Sequence, residues 1–248
     1  MRLDDLFDDA KKRVLARPDD LQARSALWQV FAARGEFERA HKQLDAMVSL
    51  DSSWAMEALS CQGLIKGEQE RDKVFRGELP PVCVGSPPDW FAALVAALPM
   101  LAGQNAEAAA LLVQAQQGSV VRAGKLNGIA FEWLCDGDAR LGPCLELIVR
   151  GRYFWAPWSA VSRISSRPPT EIRDRLWLHA EIEFGDDGAV EGFLPARYPG
   201  AISDAHRLGE TTDWTPLSDT AYLGMGQKTL ITDQGECGLL DVRELQFS

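Results

Sequence analysis

Apolar residues in the first half of the chain recur every three and four positions, the spacing of helices with one buried face, and in the second half they tend to alternate. The change falls near Gly118–Gly128. Leu3, Leu6, Ala10 and Val14 predict a short amphipathic helix that stops before Pro18. Over 21–51 two stripes follow, Leu27, Val30 and Phe31, then Phe37, Ala40, Leu44, Met47 and Val48. They meet at Gly35, which suits a sharp turn because it takes positive φ without a Cβ penalty. Asp19 and Asp20 are N-cap candidates for the first of these helices. Asp51, Ser52 and Ser53 offer a cap for a third hairpin-like region over 54–75. A Pro-rich connector (79–88) ends in Ser86-Pro-Pro-Asp89, which reads as an N-cap box with Pro in the first turn. Trp90, Leu94, Leu98 and Leu101 then share a helix face that Pro99 should kink. Gly103 turns the chain into a helix carrying Ala108, Leu111, Leu112 and Ala115.

Beyond residue 128 the clearest strand is 175–184, with Leu176, Leu178, Ala180, Ile182 and Phe184 on one face and Trp177, His179, Glu181 and Glu183 on the other. A turn at 185–188 returns it into 189–194. Strands are also expected at 145–149, 153–155, 229–232 and within 239–247, and a short helix near 201–206. The fold class expected is therefore α+β and multidomain. A helical domain (1–120) precedes a mostly antiparallel α+β domain rich in strands (125–248).

The helical half has a periodicity of its own. The 21–51 hairpin resembles a tetratricopeptide repeat in its order of bulky residue, aromatic, turn glycine, aromatic and small alanine. Gly35 and Gly103 stand two 34-residue periods apart, and Ala40, Val74 and Ala108 occupy one small-residue slot at successive periods. The middle copy has Gln69 where the turn glycine belongs. The alternative is an irregular helical bundle with fortuitous spacing.

Composition narrows the class. The 248 residues are 46% hydrophobic, enough for a large core or two ordinary ones. No apolar run approaches the length of a membrane span. The N-terminus, MRLDDLFDDA, is acidic rather than basic-then-apolar, unlike a signal peptide. Five scattered cysteines without a CxxC fit reduced thiols in cytosol. Residues 1–130 carry 17 acids and 15 bases, a net of −2. Residues 131–248 carry 19 acids and 11 bases, a net of −8, with Lys228 their one lysine. Such a chain repels nucleic acid and anionic lipid and attracts a cationic protein segment, unless the charge serves solubility alone.

Few constellations could carry chemistry. His179, Glu181 and Glu183 lie about 7 Å apart in succession along one strand face, too far to converge on a zinc ion. The sequence Gly224-Met-Gly-Gln-Lys-Thr229 lacks the Gly-Lys step of a phosphate loop. Asp136 and Asp138 could form an acid–base or metal pair, although a buried turn in which Asp138 caps N–H groups or pairs with Arg140 is favoured. With only three histidines, a nucleophilic triad has little raw material. No metal or cofactor is expected. Phe131, Trp133, Tyr153, Phe154, Trp155 and Trp158 fall within 28 residues. They either form the core joining the two domains or, in part, a binding face.

With these residues in view the chain resembles the ImpE/TagJ family, accessory proteins of bacterial type VI secretion systems. The resemblance rests on the 17–45 hairpin, on FEWLCDGDARLGPCLELIVRGRYFWAPW, and on FLPARYPG, Asp213-Trp214 and GMGQKTL. Its specific motif contains Asp136, Asp138, Arg140, Gly142, Pro143 and Glu146, read here as structural. It implies a cytoplasmic, non-catalytic protein with a TPR-like N-terminal domain. The implied partner is the N-terminal helix of the small TssB-type sheath subunit, and the implied role is in sheath assembly or disassembly by a ClpV-type ATPase, itself touched indirectly if at all. No small-molecule substrate, nucleic acid or membrane is implied. Helical repeats and acidic surfaces suit a basic amphipathic helix. The partner-binding residues expected are Phe131, Trp133, Tyr153, Trp155 and Trp158. A generic TPR-type peptide scaffold or chaperone adaptor, and an enzyme using the Asp136/Asp138 pair, are the alternatives.

Overall fold

The computed structural model describes residues 2–103, 106–185 and 188–248. Among the described residues six α-helices come first: α1 (Leu3–Ala16), α2 (Leu21–Ala33), α3 (Phe37–Leu50), α4 (Ala55–Phe75), α5 (Phe91–Ala97) and α6 (Ala106–Gly118). The α2–α3 hairpin forms as the spacing predicts. Leu27, Val30, Phe31, Ala40, Leu44 and Met47 are buried, and Gly35 turns the chain at φ +74°. The Asp20 carboxylate accepts a hydrogen bond from the Ala23 N–H at 3.0 Å, capping α2, and Asp51 likewise accepts from Ser53 at 2.9 Å.

Three expectations need correction. The region 54–75 is not a hairpin: α4 is one helix of 21 residues, about 30 Å long. With Gln69 in the turn slot nothing reverses the chain, so the 34-residue arithmetic marks buried small positions rather than a run of helical hairpins. Ser86 caps nothing; α5 begins at Phe91, whose N–H donates to the Pro88 carbonyl at 2.9 Å. The helix through Pro99 does not merely kink but passes into a 3₁₀ segment, Leu98–Gly103, because Pro99 has no N–H to give an α-helical turn.

The rest is sheet. Fifteen strands are present among the described residues: β1 (Val82–Cys83), β2 (Gly124–Leu126), β3 (Ile129–Phe131), β4 (Leu134–Asp136), β5 (Cys144–Val149), β6 (Arg152–Pro157), β7 (Arg163–Ser166), β8 (Trp177–Glu183), β9 (Ala189–Pro195), β10 (Arg197–Tyr198), β11 (Thr212–Pro216), β12 (Tyr222–Gln227), β13 (Thr229–Thr232), β14 (Gly235–Gly238) and β15 (Glu244–Phe247). Two short helices interrupt them, α7 (Ile172–Leu176) and α8 (Asp204–Arg207). The strand expected from 175 therefore starts two residues later, its first residues being the end of α7. Asp186 and Asp187 of the expected turn at 185–188 lie outside the described residues.

Nine strands form one sheet in the order β1-β6-β5-β9-β8-β7-β15-β2-β3, and β10-β12-β11 and β14-β13-β4 form two smaller ones. All pairings are antiparallel except β1 with β6, where Val82 stands opposite Phe154. Strand β1 comes from the Pro-rich connector, so the helical half contributes the sheet's edge. Alternation along β5 and β6 divides two cores. Cys144, Ile148, Tyr153 and Trp155 face a core shared with Leu64, Ile65, Phe91 and Leu94 of the helical layer. Leu145 and Leu147 face a second core with Ile164, Leu178, Ile182 and Leu245. No described helix is long and apolar enough to cross a membrane.

Candidate functional site

The helical layer meets the sheet through charge as well as apolar contact. Arg71 on α4 points into the sheet and grips Glu146 on β5, Nε to Oε1 at 2.7 Å and Nη2 to Oε2 at 3.2 Å. The Lys228 ammonium, from between β12 and β13, pairs with the same carboxylate, and the Tyr153 hydroxyl donates to it. Tyr153 in turn accepts the Trp155 indole N–H. Arg71 also donates to the Arg197 carbonyl at 2.7 Å and to Glu68 at 3.1 Å. Glu68 accepts the Trp177 indole N–H at 2.8 Å. Arg71, Glu146 and Lys228 are all out of solvent. Burying ions is costly unless each is paired and its remaining hydrogen-bonding capacity filled. Arg71 and Glu146 are so satisfied, by residues from five separate stretches of the chain, whereas the Arg197 Nε is left buried without a partner among the described residues.

A second knot adjoins it. Asp138 accepts from the Arg140 N–H and Nε, each at 2.8 Å, and from the Gly224 N–H at 2.7 Å. Asp136 accepts from the Asp138 N–H at 2.9 Å and from the Tyr198 hydroxyl at 2.6 Å. The Gly142 carbonyl accepts from the Asp136 N–H at 2.9 Å and from the Trp158 indole at 3.1 Å, and the Pro143 carbonyl accepts the Trp158 backbone N–H at 2.9 Å. The segment 134–143 is thus a closed turn whose side chains tie β4 to β10 and β12, and whose carbonyls hold Trp158, just past β6.

Burial and pairing set the titration of these groups. Burial pushes the Asp136 carboxyl up to about 7, against the pull of Lys228 and Tyr198. Glu146 suffers the same burial, yet the charges of Arg71 and Lys228 outweigh it and hold the carboxyl down at about 2. Burial draws the Lys228 ammonium below the usual lysine range.

The aromatic residues adjacent in sequence divide between two cores. Trp155 packs edge-on to Phe91 at 6.2 Å and tilted against Phe75 at 5.9 Å, in the core under the helices. Phe131 and Trp158 pack on Phe247, at 5.9 and 6.2 Å, in the core on the opposite face. Phe131, Tyr153, Trp155 and Trp158 are all buried. That corrects the binding face expected from them: a partner cannot reach side chains already enclosed. Only Trp133 keeps a face to solvent, at 38% exposure.

Trp133 opens onto a cleft of about 430 Å³ between α6 and strands β4, β12 and β13. Its walls are Val113, Trp133, Ala139, Tyr222 and Ile231, and Asp136 lies at its base. Neither lysine nor arginine lines it. Exposed Glu132, Asp219 and Asp233 flank the lining residues in sequence. An apolar cleft without lysine or arginine, with exposed acids close by in sequence, suits a cationic amphipathic segment.

Sequence reasoning found Asp136, Asp138, Arg140 and Glu146 but missed Arg71, Tyr198 and Lys228. Lys228 left one mark, as the single lysine of 131–248. In the Gly224–Thr229 stretch it turns inward to Glu146 and is no phosphate ligand. His179 pairs with Glu191 across the strands at 2.8 Å, and no described group of His, Cys, Asp and Glu could hold a metal.

Fold and site define an α+β protein in which a helical layer is locked onto a sheet by buried ion pairs, with apolar clefts left open around the junction. The family described as ImpE protein matches residues 128–246, the segment that holds both knots except Arg71 and Glu68. A protein of Pseudomonas aeruginosa described as type VI secretion system accessory component TagJ is 38% identical over 250 residues, covering 99% of this chain and 88% of the relative. The crystal structure of protein VPA1032 from Vibrio parahaemolyticus superposes with a TM-score of 0.91 at 26% identity, over 99% of this chain and 94% of that one. The chain belongs to the ImpE/TagJ family.

Proposed function

We propose that this protein is a cytoplasmic, non-catalytic accessory adaptor of a type VI secretion system. It binds the N-terminal helix of the small TssB-type sheath subunit and so modulates assembly of the sheath and its disassembly by a ClpV-type ATPase. The family and the TagJ relative support the system. The observation that carries the binding reading is the Trp133–Tyr222 cleft, apolar in its walls and free of lysine and arginine, with exposed Glu132, Asp219 and Asp233 close to its lining residues in sequence. The commitment of Asp138 to Arg140, and of Asp136 to the Tyr198 hydroxyl and the Asp138 N–H, supports a role without covalent chemistry, because the two carboxylates are held as a structural turn.

Calorimetric titration of the full chain with a peptide of that sheath helix tests it. Trp133→Ala removes the one exposed aromatic wall of the 131–158 set and is expected to weaken binding about tenfold or more, the loss typical of a buried interface anchor. Raising the salt should weaken the wild-type complex, because its rim contacts are screened. Unchanged affinity in a folded Trp133→Ala variant overturns the placement in this cleft.

A further inference from the structure

A second, larger groove lies at the opposite end of the junction, between α4 and the β5–β6 hairpin, with a volume of about 750 Å³. Met56 and Leu59, one turn apart on the outer face of α4, are 77% and 63% exposed. Ile148 and Phe193 form the facing apolar wall. The floor is where α4 touches the hairpin turn: a Cβ on Gly63 would stand 3.1 Å from the Gly151 Cα, so backbone meets backbone and no side chain fills the space.

Its charge is opposite to that of the molecule. The chain carries a net −10, yet the ionisable side chains lining this groove are His41, Lys66 and Arg150, with no carboxylate among them. Lys66 and Arg150 are exposed and stand on opposite walls. Two acids on the elements around the groove are already engaged. Glu70 lies 4.0 Å from Lys66 and accepts the Tyr153 N–H at 3.2 Å, and Asp45 accepts from Gln62 at 2.8 Å. Arg150 holds φ at +51°, a conformation costly for an L residue, at the tip that projects it beside the groove.

We propose that this groove binds an acidic amphipathic helix of a partner protein, distinct from the cationic helix proposed for the Trp133 cleft. An apolar stripe at helical spacing would cover Met56, Leu59 and Phe193, and carboxylates on its flanks would meet Lys66 and Arg150. From Met56 to Lys66 the α4 wall is about 15 Å long, room for nearly three turns of a helix laid along it. The two grooves then select ligands of opposite charge, and the protein can hold two chains at once. The proposal does not depend on the identity of the sheath partner.

Two designed helical peptides test it, with the same leucine stripe, one flanked by glutamates and the other by lysines. Fluorescence anisotropy is read at low salt with the full chain carrying Trp133→Ala, which takes the cleft proposed for the cationic helix out of the comparison. The glutamate peptide is expected to bind at least tenfold tighter than the lysine peptide. In that background Leu59→Asp should abolish the binding and the Lys66→Glu, Arg150→Glu pair should reverse the preference, while restoring Trp133 leaves the affinity for the glutamate peptide unchanged. No binding of either peptide, equal binding of both, or glutamate-peptide binding that survives Leu59→Asp overturns the proposal. So does a concentration-dependent dimer that Leu59→Asp dissolves, which would give the groove to a second copy of this chain.

Discussion

Arg71 and Glu146, 75 residues apart in sequence, form a two-point ion pair out of solvent, at 2.7 and 3.2 Å, with Lys228 bound to the same carboxylate. The pair fixes α4 to β5, the third strand from one edge of the nine-stranded sheet. The contact between the two layers therefore rests on charge as well as on apolar packing.

Removing one member should cost more than a surface pair would. Glu146→Gln leaves two buried cations facing a neutral amide, and the expected loss is about 3–5 kcal/mol, on the order of 10 °C in Tm for a protein this size. Thermal unfolding by circular dichroism measures it. Arg71→Met should be similarly costly, and the double variant should lose clearly less than the sum, since the pair is removed together. Strict additivity would mean that the two residues do not act on each other.

Stability should respond to pH in two windows of opposite sign. Glu146 has a folded value lowered to about 2. Its contribution is present above the unfolded carboxyl value and is lost as pH falls from about 4.5 towards 2. Asp136 has a folded value raised to about 7. The folded state therefore holds that proton more tightly, and stability declines as pH rises from about 4 through 7. Urea denaturation at pH 5 and pH 8 should show wild type weaker at pH 8, with much of the difference removed in Asp136→Asn. An identical pH response in the two proteins would contradict the assignment to Asp136.

The contact between α4 and the hairpin turn should be less forgiving than an ordinary glycine turn. Gly151 and Gly35 have nearly equal φ, +72° and +74°, but a Cβ on Gly35 meets nothing within 4 Å. One on Gly151 would stand 3.1 Å from the Gly63 Cα. Gly35→Ala is expected to cost about 1 kcal/mol in backbone strain, and Gly151→Ala clearly more. Urea midpoints for the two variants compare them; equal losses would remove the close approach as a constraint.

Much of this was legible in the sequence where periodicity speaks for itself. The α2–α3 hairpin followed from Leu27, Phe31, Gly35, Ala40 and Leu44, and β5, β8, β9 and β13 from alternation. Ala40, Val74 and Ala108, matched by the 34-residue period, are all buried. Asp138 proved to be both an N–H acceptor and the partner of Arg140. The single α4 was missed because a hairpin was extrapolated through Gln69, where nothing turns the chain. Arg71 was invisible because a charged residue on a helix ordinarily reads as solvent-facing, and only the fold brings Glu146 to it. The aromatic cluster misled for a related reason: alternation along β6, and the bend after Pro157, send neighbours in sequence to opposite cores.

The central claim is that the protein works by offering a preformed surface to another chain's helix. Hydrogen–deuterium exchange of the full chain, with and without the TssB-type sheath subunit, tests it most directly. The expected result is slowed exchange in α6, in 133–139 and in 222–231 around the Trp133 cleft, with the rest of the chain unchanged. Exchange unaffected by the subunit, or slowed only in residues away from that cleft, would contradict the account.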